Sequence, residues 1–321
     1  MRLKEIFKKQ GGLTLVKRYI QNGVICTAVG EFLLLGKSRT ALEILRLATQ
    51  LKVKQRLVRK YKKKLLEFDS RYDSNAQKEQ SNKVWICWLQ GMENAPELVR
   101  SCYQSVQANL KGRDIILITL ENMTEYVQFP QYIIDKWQSG QITDTHLSDL
   151  LRLELLIKYG GMWLDATVIC TTADIPDFYF TSDLFFYQCL KPGRDGHSTI
   201  MSSWLISASS NNKVLMATRY LCYCYWKTNQ SLVDYFLFHN FMTMALEHYE
   251  KAWMAVVPKD NATPHVLSLR LFDDYDKAIF EQIVAQSPFH KLGYKFAKAK
   301  AKQKDTNYDF LLRQYQANDN G

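Results

Sequence analysis

HLSDLLRLELLIKYGGMWLDATVICTT, His146 to Thr172, decides how this chain is read, because its charged residues stand at fixed offsets inside otherwise apolar secondary structure. Leu147, Leu150, Leu151, Leu155 and Ile157 give the periodicity of a largely buried helix, Thr145 can cap its start, and Gly160-Gly161 stops it. A strand follows. In MWLDATVIC the only ionisable side chain before the cysteine is Asp165, and a carboxylate in so apolar a run needs a cation, hydrogen-bond donors or a strand end. Asp149 and Arg152, three apart, share one face of the preceding helix, where they could simply pair with each other. Two carboxylates and a guanidinium thus gather beside a Gly-Gly turn.

Working outward, Lys83 to Gly91 reads as a buried strand, VWICWLQ. A helix follows with Leu98, Val99, Cys102, Val106 and Leu110 on one side. Ile115 to Leu120 is a second buried strand, and a helix around Tyr132 to Trp137 leads into the opening stretch. This alternation implies a largely parallel α/β sheet with helices on its faces, and in such sheets ligands collect outside the carboxyl ends of the strands. Beyond Thr172, strands are expected at Asp183 to Cys189 and Ser202 to Ser207. Helices are expected at Val214 to Trp226, Leu232 to Tyr249 and Phe280 to Ala285, with a loop at Ser287 to Leu292.

The chain has 321 residues, 47% of them hydrophobic, enough for a large core. Its net charge of +10 is segregated: residues 1–80 hold 19 Lys and Arg against 7 Asp and Glu, the rest 23 against 25. The basicity belongs to an appendage, which argues against nucleic acid as the partner and for attachment. Residues 1–22 read as a basic amphipathic segment suited to an anionic membrane face. Thr40 to Glu43 reads as a capping box opening a helix to Leu66, with Lys52, Lys54, Arg56, Arg59, Lys60, Lys62, Lys63 and Lys64 available to an anionic leaflet or to water. The apolar run Gly23 to Gly36 contains Glu31 and falls short of the ~20 residues that cross a bilayer, and no secretory signal is read. A polar stretch from Glu67 to Asn82 places a boundary near residue 80. The expected organisation is therefore a basic helical region 1–80, a main domain 81–295 and a basic tail 296–321. Seven cysteines, mostly in apolar settings and with no zinc-like pairing, read as buried thiols in a reducing cytosol.

VWICWLQGMENAP, SDLLRLELLIKYGGMWLDATV and SPFHKL together resemble the bacterial capsular polysaccharide synthesis glycosyltransferases, akin to glycosyltransferase family 32. These are similar in turn to the initiating mannosyltransferases of fungi and the glucosylating clostridial toxins. The resemblance covers roughly residues 83–295. It implies a GT-A-like fold, a nucleotide-sugar donor and a weakly held divalent metal, Mn²⁺ or Mg²⁺. On that resemblance Val84 and Trp85 would hold the base, and Asp149 and Arg152 would contact sugar hydroxyls and the diphosphate. Asp165 matches the first acid of the DXD motif, touching ribose and metal, while Thr167 stands where the second acid would be. His290 and Lys291 would complete the site as metal or diphosphate ligands. Asp234 and His239 are candidates for an acceptor cleft, on a helix whose Tyr235, Phe238 and Met242 stripe reads equally as core. Ser203 and Trp204 could edge the sugar pocket.

The expected activity is transfer of a sugar, with retention of configuration, to a capsule or exopolysaccharide acceptor that is saccharide or lipid-linked. The expected location is the cytoplasm, peripheral on the inner face of the cell membrane. Two alternatives are a haloacid dehalogenase-type phosphatase, from the strand ending in Asp165, and a non-catalytic membrane-associated scaffold on a degenerate glycosyltransferase fold, from Thr167.

Overall fold

The computed structural model describes residue 16 and residues 19–73, 76–189 and 199–316. The basic amphipathic segment expected at residues 1–22 lies mostly outside them. Helix α1 (Ile25–Leu35) leads into α2 (Arg39–Arg71), 33 residues long and capped by the Ser38 side chain, which accepts from the Ala41 N–H. Val53, Leu57, Tyr61, Leu65 and Phe68 recur at helical spacing and are buried against α6 (Lys213–Thr228) and α7 (Leu237–His248), while Arg59, Lys60, Lys62 and Lys63 face outward. Tyr61 meets Phe241 edge to face at 5.1 Å. The basic helix is thus joined to the main core along its apolar stripe.

The central sheet contains β1 (Lys83–Cys87), β2 (Asp114–Ile118), β3 (Gly161–Asp165), β5 (Leu184–Gln188) and β6 (Met201–Ala208), in the order β2-β1-β3-β6-β5. β2, β1 and β3 pair in parallel, with helices α3 (Glu97–Asn109), α4 (Gln131–Gln138) and α5 (Asp144–Tyr159) in the crossovers. The sheet is mixed rather than mainly parallel, because β6 runs antiparallel to both β3 and β5. Direction was not legible there: a strand buried on both faces carries no pattern that distinguishes a parallel from an antiparallel neighbour.

The run expected as one strand, MWLDATVIC, breaks at Ala166-Thr167. Beyond the break, β4 (Val168–Cys170) leaves the main sheet and pairs antiparallel with β7 (Phe289–Lys291), a segment expected as loop. This break brings Lys291 beside Val168. Helix α8 (Lys277–Val284) covers most of the helix expected at Phe280 to Ala285, but the expected basic tail differs, since α9 (Asn307–Gln316) buries Tyr308, Leu311, Leu312 and Tyr315 near α3.

Gly160 and Gly161 carry φ of 66° and 95°, in the region that glycine occupies without strain. A Cβ on Gly161 would meet the Lys83 carbonyl oxygen at 2.3 Å. Only glycine lets the chain reverse from α5 into β3 while staying in contact with β1.

Candidate functional site

β1 and β3 end side by side, Cys87 opposite Asp165, and β6 runs past them in the other direction with Ser203 near its start. Strand parity sorts the side chains. Trp85 and Trp163 are register partners on one face of the sheet, packed in the core with α5, and Cys87 and Asp165 continue that face to the strand ends. Val84, Ile86, Met162 and Leu164 lie in the core on the other face. A cleft of about 440 Å³ opens at these ends, lined among others by Trp88, Ser148, Asp149, Arg152, Asp165, Thr167, Lys291 and Tyr294.

Arg152 is buried, and its guanidinium donates to Asp149 Oδ1 at 2.7 Å and to Asp165 Oδ1 at 3.1 Å. Its planar fork spans two carboxylates with donors held in fixed geometry. The guanidinium also lies 4.8 Å from the Trp163 ring centre and 5.4 Å from that of Phe238. Its Nε has no hydrogen-bond partner. Behind Asp149, the Trp226 indole N–H donates to His146 Nε2 at 2.9 Å, so the other ring nitrogen, 3.3 Å from Asp149 Oδ2, carries the proton it donates. Asp165 also accepts from the Trp163 indole at 3.0 Å and from Lys291 at 2.6 Å, and Lys291 donates to Thr167 Oγ1 at 2.7 Å.

Burial works to raise both aspartate pKa values, but the surrounding donors and cations outweigh it. The His146 hydrogen bond and Arg152 hold Asp149 below the usual carboxylate range, and Lys291 and Arg152 do the same for Asp165. Burial pushes the Cys87 thiol up to about 12, so it is no thiolate nucleophile at neutral pH. None of the seven cysteines is in a disulfide.

The fold brings Asp149, Arg152, Asp165, Thr167 and Lys291 into one cleft, with His239 on its wall. Val84 and Trp85 are not there. Both are buried in the cores, and the Trp85 indole donates to the Gly160 carbonyl at 2.9 Å. Trp88, three residues on and just past the end of β1, is edge to face with Tyr294 at 5.4 Å and supplies the aromatic wall instead. Its indole N–H has no partner. His290 is also misplaced as a ligand: β7 turns it inward, it is fully buried, and burial lowers its pKa to about 4. Asp234 lies before α7, where it accepts from the Phe236 N–H and lines a different pocket from His239. Trp204 is buried against Tyr187, leaving Ser203 at the cleft.

The donor set does not fit a resident divalent metal. Both Asp165 oxygens are taken by cationic or indole donors, and Thr167 Oγ1 accepts from the Lys291 ammonium. A hard cation at Asp165 would face two positive groups with few oxygens to hold it. No group of three His, Cys, Asp or Glu able to hold a metal occurs among the described residues.

The chain is an α/β protein with a charged cleft and an aromatic wall at its parallel strand ends, the place where such sheets collect ligands. The family described as capsular polysaccharide synthesis protein matches residues 38–311, and the chain belongs to that family. The match takes in α2 and the first half of α9, which the resemblance read from sequence left out. The O-glycosyltransferase PaGT of Phomopsis amygdali is 26% identical over 141 residues, 38% of this chain and 34% of PaGT. The chain thus spans about a third of that curated relative's length. The solved structure of PaToxG Glycosyltransferase is similar at a TM-score of 0.38 and 12% identity, covering 81% of this chain and 94% of that one.

Proposed function

We propose that this protein is a glycosyltransferase that moves a sugar from a nucleoside diphosphate donor to a capsule or exopolysaccharide acceptor, saccharide or lipid-linked. The observation that carries the reading is the Asp149–Arg152–Asp165–Lys291 network lining a cleft at the strand ends, in a chain of the capsular polysaccharide synthesis family. Arg152 and Lys291 meet the diphosphate, Asp149 and Asp165 meet sugar and ribose hydroxyls, and Trp88 with Tyr294 offers a stacking wall for the base. His239, Tyr235 and Ser203 are on the acceptor side.

In the transfer, the bond from the sugar's anomeric carbon to the β-phosphate oxygen breaks and its electron pair stays on that oxygen. The acceptor hydroxyl oxygen bonds the anomeric carbon, and its proton passes to the departing phosphate. Retention fits a same-face attack, because both cleft carboxylates are held by cations and Cys87 stays protonated, leaving neither a free carboxylate nor a thiolate among the described lining residues. The phosphatase and scaffold alternatives draw no support from the family match. Release of nucleoside diphosphate from a panel of nucleotide sugars, with capsule oligosaccharide as acceptor, tests the reading. Release from one donor is expected; release from none would overturn it.

The same reading sets the enzyme on an anionic membrane face. At the end of α1, Leu33 is 77% and Leu34 83% exposed beside the half-exposed Phe32 and Leu35, and Lys37 and Arg39 follow. Apolar side chains flanked by basic ones suit the headgroup boundary. No described helix is long and apolar enough to cross a membrane. Leu33→Ser with Leu34→Ser is expected to lower sedimentation with anionic vesicles by roughly tenfold or more, from the apolar area withdrawn. Unchanged sedimentation would remove the membrane from the account.

A further inference from the structure

We infer that Lys291 is the cleft's own cation for the donor diphosphate, standing where a divalent metal would otherwise be held. The inference rests on the transferase reading and specifies how its donor is bound.

Four observations carry it. The Lys291 ammonium donates to Asp165 Oδ2 at 2.6 Å and to Thr167 Oγ1 at 2.7 Å, so it sits between the two side chains closest to a metal-binding pair in this cleft. An ammonium has three N–H groups, and these two bonds leave one for a ligand. Its position is fixed by backbone and not only by the ion pair: Lys291 is the register partner of Val168, and the Leu292 N–H donates to the Thr167 carbonyl at 2.9 Å. The residue at 167 is a neutral hydroxyl, a good acceptor for an ammonium and a weak partner for a hard cation. Finally, the cleft is lined by three cations, Arg152, Lys291 and Lys295, against two carboxylates, Asp149 and Asp165. The surplus is positive and suits a diphosphate.

When the anomeric bond breaks, negative charge grows on the β-phosphate oxygen. A lysine already oriented by Asp165 and Thr167 meets that charge with no ion to be recruited. Asp165 then acts as the group that holds the lysine in place, which accounts for a carboxylate whose two oxygens are both occupied.

The test is calorimetric titration of UDP, GDP, ADP and CDP into the full chain, once with excess EDTA and once with excess Mg²⁺ or Mn²⁺. One nucleotide is expected to bind with affinities within about threefold of each other in all conditions. Lys291→Met should weaken that binding roughly 10- to 100-fold, the loss of one charge-assisted contact, and Lys291→Arg should restore most of it. Binding that requires Mg²⁺ or Mn²⁺ would overturn the inference and leave the transferase reading standing. Absence of binding by all four nucleotides in every condition would overturn both. The wild-type comparison decides the matter even where Lys291→Met folds poorly.

Discussion

Arg152→Met is expected to give a protein with a clearly lowered melting temperature and no measurable sugar transfer. Arg152 is buried and is the only cation in contact with Asp149 among the described residues. Without it, Asp149 is a buried carboxylate held only by the His146 ring, and Asp165 keeps only Lys291 and the Trp163 indole. Removing one partner of a buried ion pair costs about 3–5 kcal/mol, mostly because the remaining charge is left uncompensated. The pH dependence follows from the depressed pKa values of both aspartates. A group whose folded pKa is lowered contributes stability that is complete above its unfolded value, about 3.9, and that is lost as pH falls through the folded value. The gap between wild type and Arg152→Met is therefore widest at neutral pH and narrows below about pH 4. Thermal denaturation across that range measures it. Equal melting temperatures at pH 7 would contradict the assigned network.

Asp165→Asn is expected to affect turnover more than stability. An asparagine oxygen can still accept from Arg152 and Trp163, but its amide donors then face the Lys291 ammonium, which is itself donor-only. Lys291 loses the contact that aims it and swings off Thr167. Misplacing an oriented cation at the departing phosphate costs about 10²–10³-fold in rate. Because the Asp165 side chain is 28% exposed, the stability loss is smaller than for Arg152, on the order of 1–3 kcal/mol. Nucleoside diphosphate release at saturating donor, alongside the melting temperature, separates the two effects. Unchanged release would remove Asp165 from the site.

The opening stretch was legible because its signals are local. Helical spacing, a Gly-Gly reversal and one carboxylate in an apolar strand survive without knowledge of the fold, and α5 and β3 lie where they pointed. The helix cap fell two residues early, on Thr143 rather than Thr145, because both positions hold capping residues. What the sequence hid depends on which face a residue occupies. Val84, Trp85 and Ile86 are all buried whichever face they take, so no alternation in VWICW marks Trp85 as core and Trp88 as cleft. His290 and Lys291 are neighbours on β7, and a strand sends one inward and the other to the cleft; with SPFHKL expected as loop, both were available. The packed α9 had a signal, Tyr308, Leu311, Leu312 and Tyr315 at three-and-four spacing, masked by the preceding lysines. The direction of β6 and the β4–β7 pairing are long-range outcomes with no local signature.

On the proposed function, the cleft at the ends of β1 and β3 receives the donor's diphosphate. A crystal structure of the protein soaked with the nucleoside diphosphate it binds tests this most directly. The phosphate oxygens are expected within hydrogen-bond distance of Lys291 and Arg152, with the base against Trp88 or Tyr294. A nucleotide bound elsewhere, with the Lys291–Asp165 contact intact and the cleft empty, would contradict it.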